Sequence, residues 1–355
     1  MTRNKMGILF MLAVLPAVLF DFMSCGVKEP ADTTPKPYAC QGTPATCLRL
    51  GNGWTYEGVV LTQAQTVDGG ADPWIIRLDD GRYRLYYAVP IDIPSAYWGI
   101  VSWISNDGLQ FTQEAGYRLE AFTPFQFCIV RNSNASWRMY WLDQKQGFVN
   151  NTGNKAIKSA LSTDDGWTFT EEAGERLTYT GSGYETRGIW SCKVVLLMNG
   201  SFRMYYTGFG SDHGRTLSAL SANGLDFTRE DGVRLDVLCP PEDFPGNVTP
   251  VVDALGTYHT FTRAVRCTGD YVNSKSGIFD GTTTDGLALS IASSPYVQGY
   301  TKDGTLTNQV DPQDFCPVQT PEGLRVYFVL YNSGNPTNQV IPETAIYSVI
   351  NTSIK

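Results

Sequence analysis

The sequence predicts an all-β fold, a five-bladed β-propeller of four-stranded antiparallel blades closed by an N-terminal strand joining the last blade. Three observations carry this. A turn-and-strand unit, Ser105-Asn-Asp-Gly-Leu-Gln-Phe-Thr-Gln-Glu-Ala-Gly-Tyr-Arg-Leu119, returns at 162–177 and 221–235, with a shorter copy at 284–289. A second unit, an apolar run, an Asp/Asn-Gly turn and an alternating aromatic strand, occurs five times, around Tyr83–Tyr87, Trp137–Trp141, Phe202–Tyr206, Tyr258–Phe261 and Leu324–Phe328. Finally, the last repeat ends at Ala345–Ile350 with no strand after it, while Trp54–Leu61 at the other end has no hairpin partner.

Each element follows from local chemistry. Gly108, Gly166, Gly224 and Gly286 are 58, 58 and 62 residues apart, a period too long for one hairpin and right for four short strands. Within a repeat, strand A is the apolar run and strand B the aromatic strand after the turn. Strand C is of the Ser-Ala-Leu-Ser type and strand D contains Phe-Thr. Trp54–Leu61 supplies the strand D that the fifth repeat lacks, which pairs an otherwise open sheet edge.

The composition agrees and excludes some partners. Charged residues are 17% of the chain, aromatics 12%, and there are 35 glycines, as short strands and tight turns require. The formal charge of −8 and the absence of a basic cluster argue against nucleic acid. Residues 1–24 read as a signal peptide, with Arg3 and Lys5 before the apolar run Gly7–Phe20. Phe22-Met23-Ser24-Cys25 resembles a bacterial lipobox, which implies a lipid anchor at Cys25 and a place in the cell envelope, at the outer surface or in the periplasm. Residues 25–50 read as a Pro- and Thr-rich tether stapled by a Cys40–Cys47 bridge, and 51–355 as the propeller, expected to be a monomer. Cys239 and Cys267 form a second candidate pair, and Cys128, Cys192 and Cys316 read as small apolar wall positions. With two histidines and no CxxC, no metal or other cofactor is expected, and no motif indicates a calcium in the central channel.

Ser162-Thr-Asp164-Asp-Gly166-Trp-Thr168-Phe169 resembles the Asp-box of sialidases, which is a turn device and not a catalytic one. Gly70-Ala-Asp72-Pro73-Trp-Ile-Ile-Arg-Leu-Asp-Asp-Gly81 resembles the opening strand of the five-bladed glycoside hydrolases that include arabinanases, β-xylosidases, invertases and levansucrases. The resemblance implies that Asp72 serves as base or nucleophile, that a proton-donating Glu stands in blade three, and that the partner is an oligo- or polysaccharide. Aligned on the aromatic strands, Gln126, Ser191, Asn247 and Asp314 stand in the other blades where Asp72 stands in the first. The second Asp and the Glu of those hydrolases are absent from the strict positions. Glu185, six residues before Ser191, is the acid nearest in blade three.

Asp72 and Glu185 are therefore the catalytic candidates, ionised carboxylate and proton donor. Gln126, Arg187, Trp190, Ser191, His213, Asn247, Asp311 and Asp314 are candidates for holding sugar. All lie toward the side where inner strands begin; acids accept hydroxyl hydrogen bonds and flat rings stack on sugar faces. Plainer readings stand beside these: Asp72 as a strand-entrance cap, Glu185 as a loop acid paired with Arg187, His213 as a turn residue. A propeller also serves as a non-catalytic surface module that binds glycan or protein.

Overall fold

The structure, a computed structural model, describes residues 48–354 apart from 52, 63–64, 67–70, 93–96, 123, 133–134, 144–154, 237–247, 253–256, 267–274, 291–296, 300–309 and 333–344. The chain enters through β1 (Leu48–Leu50) and β2 (Trp54–Leu61). Blade one is β3 (Ala71–Arg77), β4 (Tyr83–Asp92), β5 (Tyr97–Ser105) and β6 (Thr112–Phe122). Blade two is β7 (Phe125–Arg131), β8 (Trp137–Asp143), β9 (Ala156–Ser162) and the short β10 (Thr170–Glu171) and β11 (Leu177–Thr178). Blade three is β12 (Gly188–Leu196), β13 (Phe202–Phe209), β14 (Gly214–Ser221) and β15 (Thr228–Arg229). Blade four is β16 (Val248–Val252), β17 (Tyr258–Arg266), β18 (Lys275–Thr283) and β19 (Val297–Gly299). Blade five is β20 (Val310–Gln319), β21 (Leu324–Asn332) and β22 (Ile346–Asn351).

All five sheets are antiparallel and the predicted closure is present: β2 pairs with β22 as the outer strand of blade five. The N-terminal segment does more than this. Leu48–Leu50, placed in the tether by sequence, pairs with β19 as a fifth strand on blade four, so the entering chain is bonded to two blades. The inner strands β3, β7, β12, β16 and β20 contact one another around the axis. Pro73, Pro250 and Pro317 all lie on them, since the axial edge of each inner strand needs no ladder donor.

One latch repeats between blades. In blade two, Arg138 forks onto Glu172 at 2.8 and 3.0 Å, and Ser159 Oγ donates to the same carboxylate. Its remaining Nη1 donates to Asn223 O and Tyr140 Oη donates to Gly224 O, both in the turn of blade three. Arg84 with Tyr86, Arg203 with Tyr205 and Arg325 with Tyr327 reach the next blade's turn in the same way. The turn glycine is required: at Gly224 φ is +73°, and a Cβ would stand 2.5 Å from Arg138 Nη1. Blade four carries His259 and Phe261 where Arg and Tyr stand elsewhere. The next C-to-D turn is missing because blade five is where the two chain ends meet, and Phe261 packs edge-on against Trp54 instead, 6.2 Å between centroids.

The turns hold as the carboxylate chemistry predicts. Asp164 accepts from Thr168 N and Oγ1, and Ser162 Oγ accepts from Gly166 N. These donors hold Asp164 below the ordinary carboxylate range against the opposing effect of its partial burial.

Candidate functional site

Asp72, Gln126, Ser191 and Asp314 share an unusual backbone. Their φ angles are +57°, +52°, +52° and +47°, and among described residues only Ala135 and Asp165 are other non-glycine cases. At each of the four, the pairing of the inner strand with its neighbour slips by a bulge. A left-handed non-glycine residue costs about 1–2 kcal/mol. Glycine would remove that cost, so repeating it with side chains kept marks positions where the side chain is used. The bulge turns that side chain out of the blade interface, and three of them meet on the axis. Gln126 N donates to Asp72 Oδ2 at 2.8 Å and Gln126 Nε2 to Asp72 Oδ1 at 2.5 Å. The same amide nitrogen reaches Asp314 Oδ1 at 3.5 Å. Blades five, one and two thus contribute one residue each. Asn247, the counterpart in blade four, lies outside the described residues.

Asp72 is 4% exposed. Burial and the negative charge of the Asp314 carboxyl push its pKa up to about 7, against Lys193 and the Gln126 amide pulling down. Lys193 was not singled out from sequence, although a lysine inside the apolar run Ser191–Leu196 was a signal. It is buried, donates from Nζ to Phe127 O at 2.8 Å and stands 4.8 Å from the Trp74 ring centroid. Cys128, Cys192 and Cys316 are free, buried thiols on the same inner strands, in keeping with their reading as wall residues. Val194 N and Ile75 N donate across blades to the sulfurs of Cys128 and Cys316.

Glu185 is elsewhere. It lies in a short 3₁₀ turn, Gly183–Glu185, and is 3% exposed. Arg229, on the outermost strand of blade three, grips it at 2.7 and 2.8 Å. Tyr206 Oη, Thr180 N and Thr180 Oγ1 also donate to it. Gly208 makes this seat, since a Cβ there would meet Leu217, Tyr184 O and Glu185 itself. The bonds hold Glu185 below its ordinary value although burial alone acts the other way. This corrects the proton-donor expectation: a donor must keep its proton, and five hydrogen bonds including two from a guanidinium keep this carboxylate ionised. The partner is Arg229 and not the neighbouring Arg187, whose Nε donates to Gly210 O.

The other candidates divide between rim and interior. His213 bridges Asp236 at 2.7 Å and Asp212 at 3.1 Å on the β13–β14 loop. Trp190 is half-buried, with Lys155 Nζ 3.9 Å above its ring. Lys155 is 2% exposed, and burial lowers its amine to about 7. Asp311 lies on β20 opposite Tyr331, three residues before Asp314.

No protein-family model matches the sequence, and no curated protein does. Solved structures match over most of its length. One is a thermostable family-43 glycoside hydrolase, 14% identical, TM-score 0.55, covering 79% of this chain and 88% of that one. Another is the family-93 α-L-arabinofuranosidase of Fusarium graminearum complexed with arabinobiose, 12% identical, TM-score 0.53, covering 85% and 99%. A third is an α-L-arabinofuranosidase from Podospora anserina complexed with cellotriose, 12% identical, TM-score 0.52, covering 84% and 96%. The chain shares their five-bladed propeller fold. At these identities the likeness is one of fold, and the chemistry has to be argued from the residues.

Proposed function

We propose that this protein is a carbohydrate-active enzyme that cleaves glycosidic bonds at the cell envelope, anchored by lipid at Cys25, with its reacting group at the axial Asp72. The observation that carries the reading is the strained bulge that brings Asp72, Gln126 and Asp314 together from three blades. Strain of this kind persists where the surrounding structure holds a side chain for use. Asp72 supplies the acid–base function; Gln126, Ser191, Asp314 and the Trp190 ring hold the sugar. Fold likeness to glycosidases supports the substrate class by analogy only.

A non-catalytic glycan-binding module is the second reading, and the neutralisation of Glu185 by Arg229 favours it. Glycosidases need two carboxyl groups about 5–5.5 Å or about 6.5–9.5 Å apart, and Glu185 is committed to its ion pair. The test is a panel of aryl glycosides and of plant and host glycans, with Asp72→Asn beside the parent. The enzyme reading expects turnover by the parent and a loss of at least about a hundredfold in the variant, the scale of a lost acid–base group. Binding without turnover establishes the module. Cys25→Ser is expected to move the protein out of the membrane fraction, and an unchanged distribution removes the anchor.

A further inference from the structure

Two residues beyond the four left-handed bulges stand Trp74, Cys128, Lys193 and Cys316. Each bonds the backbone of an adjoining blade. Trp74 Nε1 donates to Ile129 O at 3.0 Å, Cys128 Sγ accepts from Val194 N at 3.3 Å, and Cys316 Sγ accepts from Ile75 N at 3.2 Å. These three reach forward to the following blade, and Lys193 turns back. Its Nζ donates to Phe127 O at 2.8 Å, in the blade before it. Cys192 does the same, with Sγ 3.7 Å from Gln126 O. Blade three therefore holds both carbonyls of the Gln126–Phe127 pair, where the ladder between β7 and β8 slips. The Lys193 ammonium also lies 4.8 Å from the centroid of the Trp74 ring, on blade one. One buried side chain thus ties three blades together. A buried ammonium is costly unless it is compensated, and a cation over a desolvated ring recovers about 2 kcal/mol. A methionine would fill this apolar run without that cost, so the amine marks a bond that is used.

We propose that Lys193 is a positioning residue of the axial site, a strut that holds the Gln126 bulge where both of its nitrogens meet the Asp72 carboxyl. The path is a chain of bonds. Lys193 fixes Phe127 O, the adjacent Gln126 keeps its φ of +52°, and Gln126 N and Nε2 reach Asp72 Oδ2 and Oδ1 at 2.8 and 2.5 Å. A left-handed glutamine persists only where its surroundings over-determine it. Here Lys193 and Cys192 grip the bulge from blade three, and Trp74 holds Ile129, three residues further along the same strand, from blade one. Lys193 acts through the backbone of blade two, so its role needs no contact with a ligand. The strut stands on these bonds; its effect on turnover rests on the acid–base reading of Asp72 above.

The experiment has two arms on the intact protein. In the first, hydrogen exchange is followed by NMR in protein labelled with ¹⁵N-glutamine, with Gln126→Asn to assign the resonance. In the parent the Gln126 backbone amide is expected among the protected ones; exchange as fast as in exposed turns overturns the strut without any variant. In Lys193→Met that amide is expected to exchange at least about tenfold faster while glutamine amides in other blades keep their rates, the mark of local opening. Unchanged protection at Gln126, or a uniform loss around the ring, overturns the proposal, since the lysine then only adds general stability. Lys193→Arg keeps a cation for the Trp74 ring and an N–H for Phe127 O, and is expected to recover protection to within about threefold of the parent. In the second arm, turnover of whichever aryl glycoside the parent cleaves is compared among the parent, Lys193→Met and Asp72→Asn. Lys193→Met is expected to lower kcat at least about tenfold with KM nearly unchanged, as misplacement of a reacting group does. A full kcat in Lys193→Met beside a dead Asp72→Asn overturns the positioning role. If Gln126 opens as expected while Asp72→Asn turns over normally, or no glycoside is cleaved, the enzyme reading fails and the strut survives.

Discussion

Asp72 and Glu185 are both nearly free of solvent, yet their neighbours drive them apart, and pH separates their contributions. Asp72 is raised from an ordinary 3.8 to about 7, so the folded state holds its proton more tightly than the unfolded chain. Its contribution to stability is complete below pH 3.8 and is lost as pH rises through about 7. Asp72→Asn, which keeps shape and removes the charge, is expected to unfold at a higher temperature than the parent at pH 8. The gap should close toward pH 4, and a calorimetric series from pH 4 to 9 reads it directly. Glu185 runs the other way: lowered from 4.5, it stabilises at neutral pH and loses that contribution as pH falls below about 4.5 through its folded value. Glu185→Gln is expected to cost about 2–3 kcal/mol at pH 7, less than a fully buried pair because Arg229 is 35% exposed. A penalty that stays constant down to pH 3 would show that packing, not charge, holds the turn.

The inter-blade latch sets what each strand B tolerates. Removing the hydroxyl in Tyr140→Phe or Tyr205→Phe leaves a turn carbonyl of the next blade without its donor, and about 1 kcal/mol should be lost in each case. The reverse change in blade four is the sharper check. Phe261→Tyr restores the repeat's residue, and a reading by repeat consensus expects stabilisation. Blade five has no C-to-D turn to receive that hydroxyl, so the new group is buried beside Trp54 and the protein should lose about 1–3 kcal/mol. Chemical denaturation of the three variants side by side decides between consensus and topology.

Closure of the ring depends on a segment distant in sequence. Glu57 on β2 accepts both guanidinium bonds of Arg325 and the hydroxyl of Ser348, completing in blade five the latch that Glu172 completes in blade two. Deleting residues through Leu61 removes that carboxylate, the outer strand of blade five and the extra strand on blade four. It leaves the 4% exposed Arg325 side chain without its counter-ion. The truncated protein is expected to lose its single cooperative thermal transition and to be cut rapidly by protease in blade five. A melting curve like that of the full chain would show that β2 only decorates the ring.

Blade number, strand order and the closing strand were legible in the sequence because each depends on short-range chemistry. Asx and glycine turns, period-two aromatic strands and a sixty-residue recurrence are all written within one repeat. The same repeat aligned Asp72, Gln126, Ser191 and Asp314, and the structure gives all four the same left-handed bulge. Nothing in a run such as Phe125-Gln126-Phe127-Cys128 announces a positive φ, since glutamine and serine have no preference for it. The bulges arise where inner strands crowd one axis, a constraint that no single blade carries. Ion-pair choice lies equally beyond local reading: Glu185 took Arg229, 44 residues away, over Arg187 two residues away. Which carboxyl keeps its proton was decided only by tertiary structure, because protonation responds to burial and to charges delivered from other blades.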